Sequence, residues 1–519
     1  MKIIEKIKLH NFKRFQDFIV EFNPDINLLI GDNEAGKSSI LTAIDIVLSG
    51  SRSKIETFGL ESLFNSQTIN DFLASDKKYE DLPKLFIEVY LNEQNNPDLN
   101  GKVNSDEIVC DGLRLVCEPN DNLGKEIKEI LKQDEANFPF EYYTINFITF
   151  AGETYTGYRK FLKHILIDNT QISNEYATRQ YITSLYQSTV NDAEKNKHQN
   201  EYRKYKKNFR DTVLKELNDR IKDYSFSIKT NSKSNLQTDL TITEGDIEIE
   251  NKGKGRQCFI KTEFALKDKE TDLDIVLIEE PENHLSHINM KKLIQRIASS
   301  NQKQLFIATH NNLVSTRLDL RKTILLNSNS HIPVLLKDLS EDTAKFFIKA
   351  PDNNILEFIL SNRVILVEGD AEYILMESFY YNETGEKIEN SNIHIISVGG
   401  TSFKRYLEIA KLLKIKTAVI RDNDGDYKAN CVDNYADYTN ETIQVFADLD
   451  NERYTFEVAI YQDNKDICDE LWKANRKTLS VQEYMLKNKA DVAFELLDKK
   501  SAEISTPYYI KKAIEWIKG

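Results

Sequence analysis

Between residues 3 and 30 the apolar side chains tend to alternate: Ile3 and Ile7, then Phe18, Val20 and Phe22, then Ile26, Leu28 and Ile30. That period of two predicts strands leading into a loop and a helix. The helix, from about Ser38 to Leu48, is apolar nearly all round and is expected to be buried. The polar stretch 92–106 (NEQNNPDLNGKVNSD) predicts a loop between strands. From about 155 to 225 the chain is polar, rich in Tyr and Lys and free of Pro and Gly after Gly157, which predicts helices. Alternation returns at 239–250, and 274–345 reads as strand, helix, strand and strand. Pro351 with Asp352, Asn353 and Asn354 marks a linker. From 362 onward strands and helices alternate, and the tail after about 480 predicts helix.

With 519 residues the chain can form two or three domains, each with its own core. Hydrophobic residues at 40% and charged residues at 29% fit a soluble globular protein. No apolar run reaches the roughly 18 residues a membrane helix needs. The start, MKIIEKIKLHNFKRF, lacks the apolar block of a secretory signal, so a cytoplasmic location and no membrane association are expected. Cys110, Cys117, Cys258, Cys431 and Cys468 are scattered without a CxxC pair, so reduced thiols are expected and a zinc site is not. A net charge of −14 argues against a surface coated for nucleic acid, and any DNA path must be a local basic groove. The run Lys195–Arg210 holds seven basic residues in sixteen; it could track a DNA backbone, but interspersed Glu and Asn favour a solvated helix face.

Chemistry enters first at Gly31-Asp32-Asn33-Glu34-Ala35-Gly36-Lys37-Ser38, which fits GxxxxGK[ST] after a predicted strand and before a predicted helix. In such a loop backbone N–H groups wrap phosphates, Lys37 reaches the β/γ oxygens and Ser38 ligates Mg²⁺. Asn33, Gly36 and Ser39 complete the candidate ATP contacts. The apolar strand Ile275–Ile278 ends in Glu279 and Glu280, where the first acid supports Mg²⁺ and the second polarises the attacking water. The strand Gln304–Thr309 ends at His310, placed to sense a γ-phosphate, and Gly253, Gly255 and Gln257 lie in a Gly-rich turn before a helix. This ordered set resembles the ABC-type ATPase heads of the SMC and RecF group. The resemblance implies two heads sandwiching ATP, with the Gly253–Gln257 turn of one facing the P-loop of the other. Three departures stand out: Glu279 replaces the usual Asp, the turn is not LSGGQ, and no long heptad coiled coil separates the motifs.

A second constellation follows. The strand Val364–Val367 ends in Glu368-Gly369-Asp370-Ala371-Glu372, which puts Glu372 one helical turn from Glu368. Ile393–Val398 ends in Gly399-Gly400-Thr401-Ser402, and Thr417–Ile420 ends in Arg421-Asp422-Asn423-Asp424. Parallel strands deliver such side chains to one sheet edge, where carboxylates can hold Mg²⁺. In an extended DxD, Asp422 and Asp424 would point the same way and share a cation. Neither Ser402 nor Thr401 has a partner that would make it a nucleophile. The order E…GG…DxD resembles the TOPRIM domain of topoisomerases, primases and certain nucleases. Later, Thr455-Phe456-Glu457 sets an acid at a strand-like position, and Lys487-Asn488-Lys489-Ala490-Asp491 opens a helix. ATPase, TOPRIM and these last segments together resemble the overcoming-lysogenization-defect (OLD) nucleases, most closely the nuclease subunit of Gabija-type antiphage systems or a retron-associated relative.

That resemblance implies an α/β fold: an ABC-type head in two parts (1–154 and 226–348) interrupted by a helical dimerisation insert (155–225), then a TOPRIM domain with a parallel-sheet core (349–519). It implies that Glu368, Glu372, Asp422, Asp424 and Glu457 hold one or two Mg²⁺ or Mn²⁺ ions. Lys489, with Lys487 as competitor, would neutralise the phosphate in the transition state. Asp370 and Asp426 read as neighbours outside the ligand set. The expected activity is ATP-regulated cleavage of duplex DNA in antiphage defence, by a homo-oligomer (dimer or tetramer) with a helicase-like or retron partner. The alternative is a non-catalytic, ATP-gated DNA-binding or assembly protein of the RecF and SMC kind; strand passage or primer synthesis is a third class.

Overall fold

The computed structural model describes all residues except 134–136, 158, 173, 230, 232–233, 268–270, 301, 329–331, 351–353, 401 and 474–478. Residues 351–353 of the linker expected at 351–354, and Thr401, lie outside the described residues, while Asn354 caps a helix at Ile355–Leu360. Two compact units are formed, Met1–His310 with Lys322–Pro333, and Asn311–Arg321 with Val334–Gly519.

The first unit is built on two sheets. Strands β1 (Ile4–Phe12), β2 (Phe15–Glu21), β4 (Leu85–Leu91), β5 (Asn100–Gly101), β6 (Cys110–Pro119) and β7 (Tyr143–Thr149) make an antiparallel sheet in which β1 lies between β2 and β4. Its alternating burial, as in β2, matches the period-two pattern of the sequence. The other sheet is parallel and includes β3 (Ile26–Gly31), β8 (His164–Asp168), β9 (Ile275–Glu279), β10 (Gln304–Ala308) and β11 (Thr323–Leu326), running in the spatial order β11-β3-β10-β9-β8. All six residues of β3 are buried, as expected of a strand covered on both faces. Helix α1 (Lys37–Ser49) follows β3 directly and buries Ile40, Leu41, Ile44, Val47 and Leu48.

Three expectations need correction here. Residues 155–225 are not helical throughout: His164–Asp168 pairs in parallel with β9, because its apolar Ile165 and Ile167 fill an edge position of the core. Helices α2 (Glu175–Thr189) and α3 (Asp192–Thr212) follow it. The alternation at 239–250 condenses to a short hairpin, Thr243–Glu244 with Ile247–Glu248. An additional helix at Asn312–Arg317 follows β10, and it belongs to the second unit. There the Asn312 side chain accepts a bond from the Leu356 backbone N–H and Arg317 donates to the Ile348 carbonyl, so the second unit begins earlier along the chain than 349.

The second unit holds a parallel sheet of β12 (Arg363–Val367), β13 (Ile393–Ser397), β14 (Lys416–Ile420) and β15 (Ile443–Phe446), in the order β13-β12-β14-β15. Val367 is level with both Ser397 and Ile420, so the segments after these strands emerge at one edge. The core is formed by Ile365, Val367, Phe379, Ile420, Phe456, Leu496, Ile510 and Ile514 among others. It joins the sheet to helices α4 (Asp370–Thr384), α5 (Phe456–Asp463), α6 (Lys489–Lys500) and α7 (Tyr508–Lys518).

Candidate nucleotide and carboxylate sites

In the first unit the turn from β3 into α1 is fixed by close packing. Gly36 has φ of 99°, and a Cβ there would lie 2.4 Å from the Phe15 ring. A Cβ on Gly31 would lie 2.2 Å from the Leu326 carbonyl oxygen. Only glycine fits either position. Lys37 Nζ donates to the carbonyls of Gly31 at 2.6 Å and Asp32 at 2.9 Å. Burial lowers its pKa, against the nearby acids Asp32, Glu280, Glu279 and Glu282. Ser38 Oγ donates to Glu279 Oε1. The Glu279 carboxyl is pushed up by burial and by Asp168 and Glu280, with the Ser38 bond and Lys13 opposing. Asn33 is exposed on the loop and Ser39 is half-buried in the first turn of α1.

Beyond Glu279 the backbone twists: Glu280 has φ of 47° and His284 62°, a conformation that costs a non-glycine residue energy and concentrates at functional sites. His310 Nδ1 stands 3.6 Å from Glu280 Oε1 and 3.7 Å from Glu282 Oε1. Glu282 is buried and accepts from Thr309 Oγ1 at 2.7 Å and His310 N at 3.2 Å, while its Oε2 has no hydrogen-bond partner. The Gly-rich turn caps the helix Lys254–Ala265. A Cβ on Gly255 would meet the His284 carbonyl at 2.2 Å, whereas Gly253 faces open space. Gln257 does not project: it is buried, and its Nε2 donates to the carbonyls of Lys252 at 2.8 Å and Glu250 at 3.3 Å.

In the second unit Glu368 follows β12, Glu372 sits in the first turn of α4, Asp422 follows β14 and Glu457 opens α5. Glu372, Asp422 and Glu457 are all buried. Glu368 Oε2 is buried without a hydrogen-bond partner. Burial, followed by the carboxylates of Glu457 and Glu368, raises the Glu372 pKa to about 7. Burial and then Glu372, Glu368 and Glu457 raise Asp422 to about 8. Lys489 Nζ pairs with Glu457 Oε2 at 3.1 Å. Four acids therefore lie within electrostatic reach of one another, with one half-exposed lysine, and negative charge there is under-compensated.

Two expected geometries are corrected. Glu457 is helical, because the Phe456 N–H donates to Asp422 Oδ1 at 2.7 Å and the chain turns into α5 at that point. The DxD is not extended: Asp424 has φ of 51°, and its half-exposed carboxylate pairs with Arg421 at 2.7 Å. Asp424 therefore does not share the direction of Asp422. Between them, Asn423 is buried, and its Nδ2 donates to the carbonyls of Asp448 and Asp450, both at 2.9 Å. Its Oδ1 accepts from Gly425 N at 2.9 Å.

Among the described residues no three His, Cys, Asp or Glu side chains are drawn closely enough to ligate one ion as they stand. The donor set nonetheless fits a hard divalent cation: oxygen ligands only, raised pKa values on Glu372 and Asp422, and an unpartnered buried oxygen on Glu368.

Residues 359–424 match the family described as "Overcoming lysogenization defect protein-like, TOPRIM domain", and residues 1–314 match the AAA ATPase domain family. The chain belongs to the AAA ATPase domain family, and its second unit carries an OLD-like TOPRIM domain. The Old nuclease of Escherichia phage P2 is 26% identical over 161 residues, 29% of this chain and 28% of that protein. A DNA replication and repair protein RecF from Limosilactobacillus reuteri is 47% identical over 45 residues, 9% of this chain and 12% of RecF. A Rad50 ATPase from Sulfurisphaera tokodaii is 29% identical over 147 residues, 26% of this chain and 14% of Rad50. Each relative is thus matched over well under two thirds of its length. Among solved structures, the SMC head domain from Thermotoga maritima aligns over 64% of this chain and 97% of its own, with TM-score 0.30 and 12% identity. The C-terminal region of the Burkholderia pseudomallei OLD protein aligns over 30% and 97%, with TM-score 0.23 and 19% identity.

The OLD-like match ends at Asp424, so Glu457 and Lys489 stand on their geometry alone. Sequence reading missed Glu282, Arg421, Asn423 and the pair Lys13-Arg14. Arg14 donates to the carbonyls of Glu34, Ser328 and Asn327, and so ties the turn between β1 and β2 to the P-loop. Its signal was the polar break Lys13-Arg14 between alternating strands. Among the described residues no helix is long and apolar enough to cross a membrane.

Proposed function

We propose that this protein is an ATP-regulated, Mg²⁺- or Mn²⁺-dependent DNA endonuclease that nicks or cleaves duplex DNA. The observation supporting it most is the set of carboxylates Glu368, Glu372, Asp422 and Glu457 gathered with Lys489 at one sheet edge. A divalent cation, once bound, supplies Lewis-acid activation of water and stabilisation of the leaving 3′ oxygen. Glu368, Glu372, Asp422 and Glu457 hold that cation, with Asp424 contributing through the turn it stabilises. Lys489, oriented by Glu457, meets the charge that builds on the phosphate oxygens. In the ATPase domain Lys37 releases its two carbonyls to take the β/γ-phosphates. Ser38 and Glu279 hold the nucleotide's metal, Glu280 orients water and His310 reports the γ-phosphate.

Gly253, Gly255 and the Gln257 segment face the P-loop of a second copy, so the working form is a homo-oligomer and ATP governs access to the carboxylates through head pairing. Antiphage defence, with a helicase-like or retron partner, is part of the same reading. The matches to RecF and Rad50 favour a second one, an ATP-gated DNA-binding protein without cutting. Incubating supercoiled plasmid with the full chain and Mg²⁺ or Mn²⁺ across an ATP titration, repeated with a non-hydrolysable analogue, separates the two. Nicked or linear product that disappears in Glu368→Ala is expected. Plasmid left intact under every condition, yet shifted on a gel with ATP, would replace the first reading by the second.

A further inference from the structure

Beside the carboxylates the second unit contains a cavity of about 630 Å³ that none of the roles above uses. Its rings are Phe346, Tyr373 and Tyr406, and its polar groups include Asp370, Ser397 and Ser402. Asp370 and Tyr373 share one face of α4, being three residues apart on the helix that also carries Glu372. The opposite wall is the turn Val398–Gly399, and the next residue, Gly400, donates its N–H to the Glu368 carbonyl at 2.9 Å. The cavity therefore begins within two residues of Glu368. Gly399 and Gly400 have φ of 64° and 117°, and a Cβ on either would meet nothing within 4 Å. The turn thus leaves open space next to the carboxylates.

The chemistry of the lining narrows the occupant. No lysine or arginine lines the cavity among the described residues, so it is not built for a phosphate. Tyr373 is 43% exposed, so part of its ring is open to a ligand at the cavity. Tyr406, by contrast, is buried edge-on against Phe347 and Phe358 and forms a rigid floor. Asp370 and the serine oxygens offer acceptors, and Ser402 already donates its hydroxyl hydrogen to the Val398 carbonyl at 3.1 Å. Exposed ring, rigid floor and acceptor-rich rim suit a neutral planar heterocycle that carries amino hydrogens.

We propose that this cavity is a nucleobase subsite. It takes an unstacked base of the strand whose phosphate lies at Glu368 and Asp422, stacking it on Tyr373 and reading exocyclic amines with Asp370. The proposal rests on the nuclease reading for its choice of strand, but binding is measurable without cutting. In this assignment the site favours adenine, cytosine or guanine over thymine, which has no exocyclic amine.

The test uses the full chain as Glu368→Ala, with Mg²⁺, and a single-stranded oligonucleotide carrying 2-aminopurine. Quenching of 2-aminopurine on binding is expected, lost in an added Tyr373→Leu and retained in Tyr373→Phe. Anisotropy of the same strand should show about ten-fold weaker binding with leucine, the usual scale of one lost stacking contact. Oligo-dC should bind more tightly than oligo-dT, and Asp370→Asn should erase the difference. Quenching unchanged by Tyr373→Leu, or equal binding of dC and dT in the unsubstituted protein, would overturn the assignment. Displacement of the strand by free CMP at equal concentration would move the subsite from strand to mononucleotide and likewise overturn it. Plasmid left uncut by the unsubstituted protein with Mg²⁺ or Mn²⁺ would instead strike the nuclease reading while leaving the fluorescence result standing.

Discussion

The nucleotide loop and the carboxylate cluster treat charge in opposite ways. In the loop each reactive group already has a partner from the chain: Lys37 holds two carbonyls, and Ser38 holds Glu279. In the cluster the acids face one another, with Lys489 as the ammonium paired to one of them, Glu457. The first arrangement is a closed clasp that a ligand must exchange bond for bond. The second is a deficit that a cation relieves. A clasp gives selectivity at the cost of affinity, whereas a deficit gives affinity for any small hard cation and leaves selectivity to geometry.

The sharpest way to break that contrast is to cross the two sites. Glu368→Ala should reduce plasmid cutting by at least ~100-fold, while ATP binding measured with a fluorescent analogue stays as it was. Lys37→Ala should do the reverse, weakening ATP binding ~10- to 100-fold, because charge-assisted hydrogen bonds to phosphate are lost, and leaving nucleotide-free cutting intact. If either substitution moves both readouts equally, the sites are not separable in this way.

Protons give a finer probe. At neutral pH Glu372, near 7, is about half protonated and Asp422, near 8, mostly so. Cation binding should therefore release on the order of one proton, and affinity should rise with pH up to about 8. Titration calorimetry in buffers of different ionisation enthalpy would show it; a heat independent of buffer would contradict the deficit. The same shifts set a sign for stability. Both folded pKa values lie above the ordinary carboxyl range, so their contribution is complete below about pH 4 and is lost progressively as pH rises from there to 7 to 8. In a chelator the melting midpoint should fall across that window, and Mg²⁺ should restore it. The smallest effect expected is that of Asp424→Asn, whose carboxylate pairs with Arg421 outside the cluster: a loss in cutting of about five-fold or less, against near-complete loss in Asp422→Asn. Equal losses would return Asp424 to the ligand set.

Much of this was readable in advance where chemistry and strand pattern coincide. The P-loop, the acids after β9 and the strand-end placement of Glu368 and Asp422 followed from apolar runs stopping at polar residues. The sequence was silent where tertiary packing overrode local signals. His164–Asp168 looked like part of a polar helical tract, yet two isoleucines suffice to complete the sheet edge. Asp424 looked extended, yet the bond to Arg421 and the fixed Asn423 between them require a left-handed turn. Gln257 looked like a ligand residue from its motif, but neighbouring carbonyls recruit its amide.

Asn423 has one more implication. In a D-x-D pattern the middle letter is written as free, yet here it fastens the loop at Asp448 and Asp450, which leads on to Glu457. A designer grafting this centre onto another scaffold would need to carry the asparagine along with the aspartates, since without it the loop leading to Glu457 would lose two of its bonds.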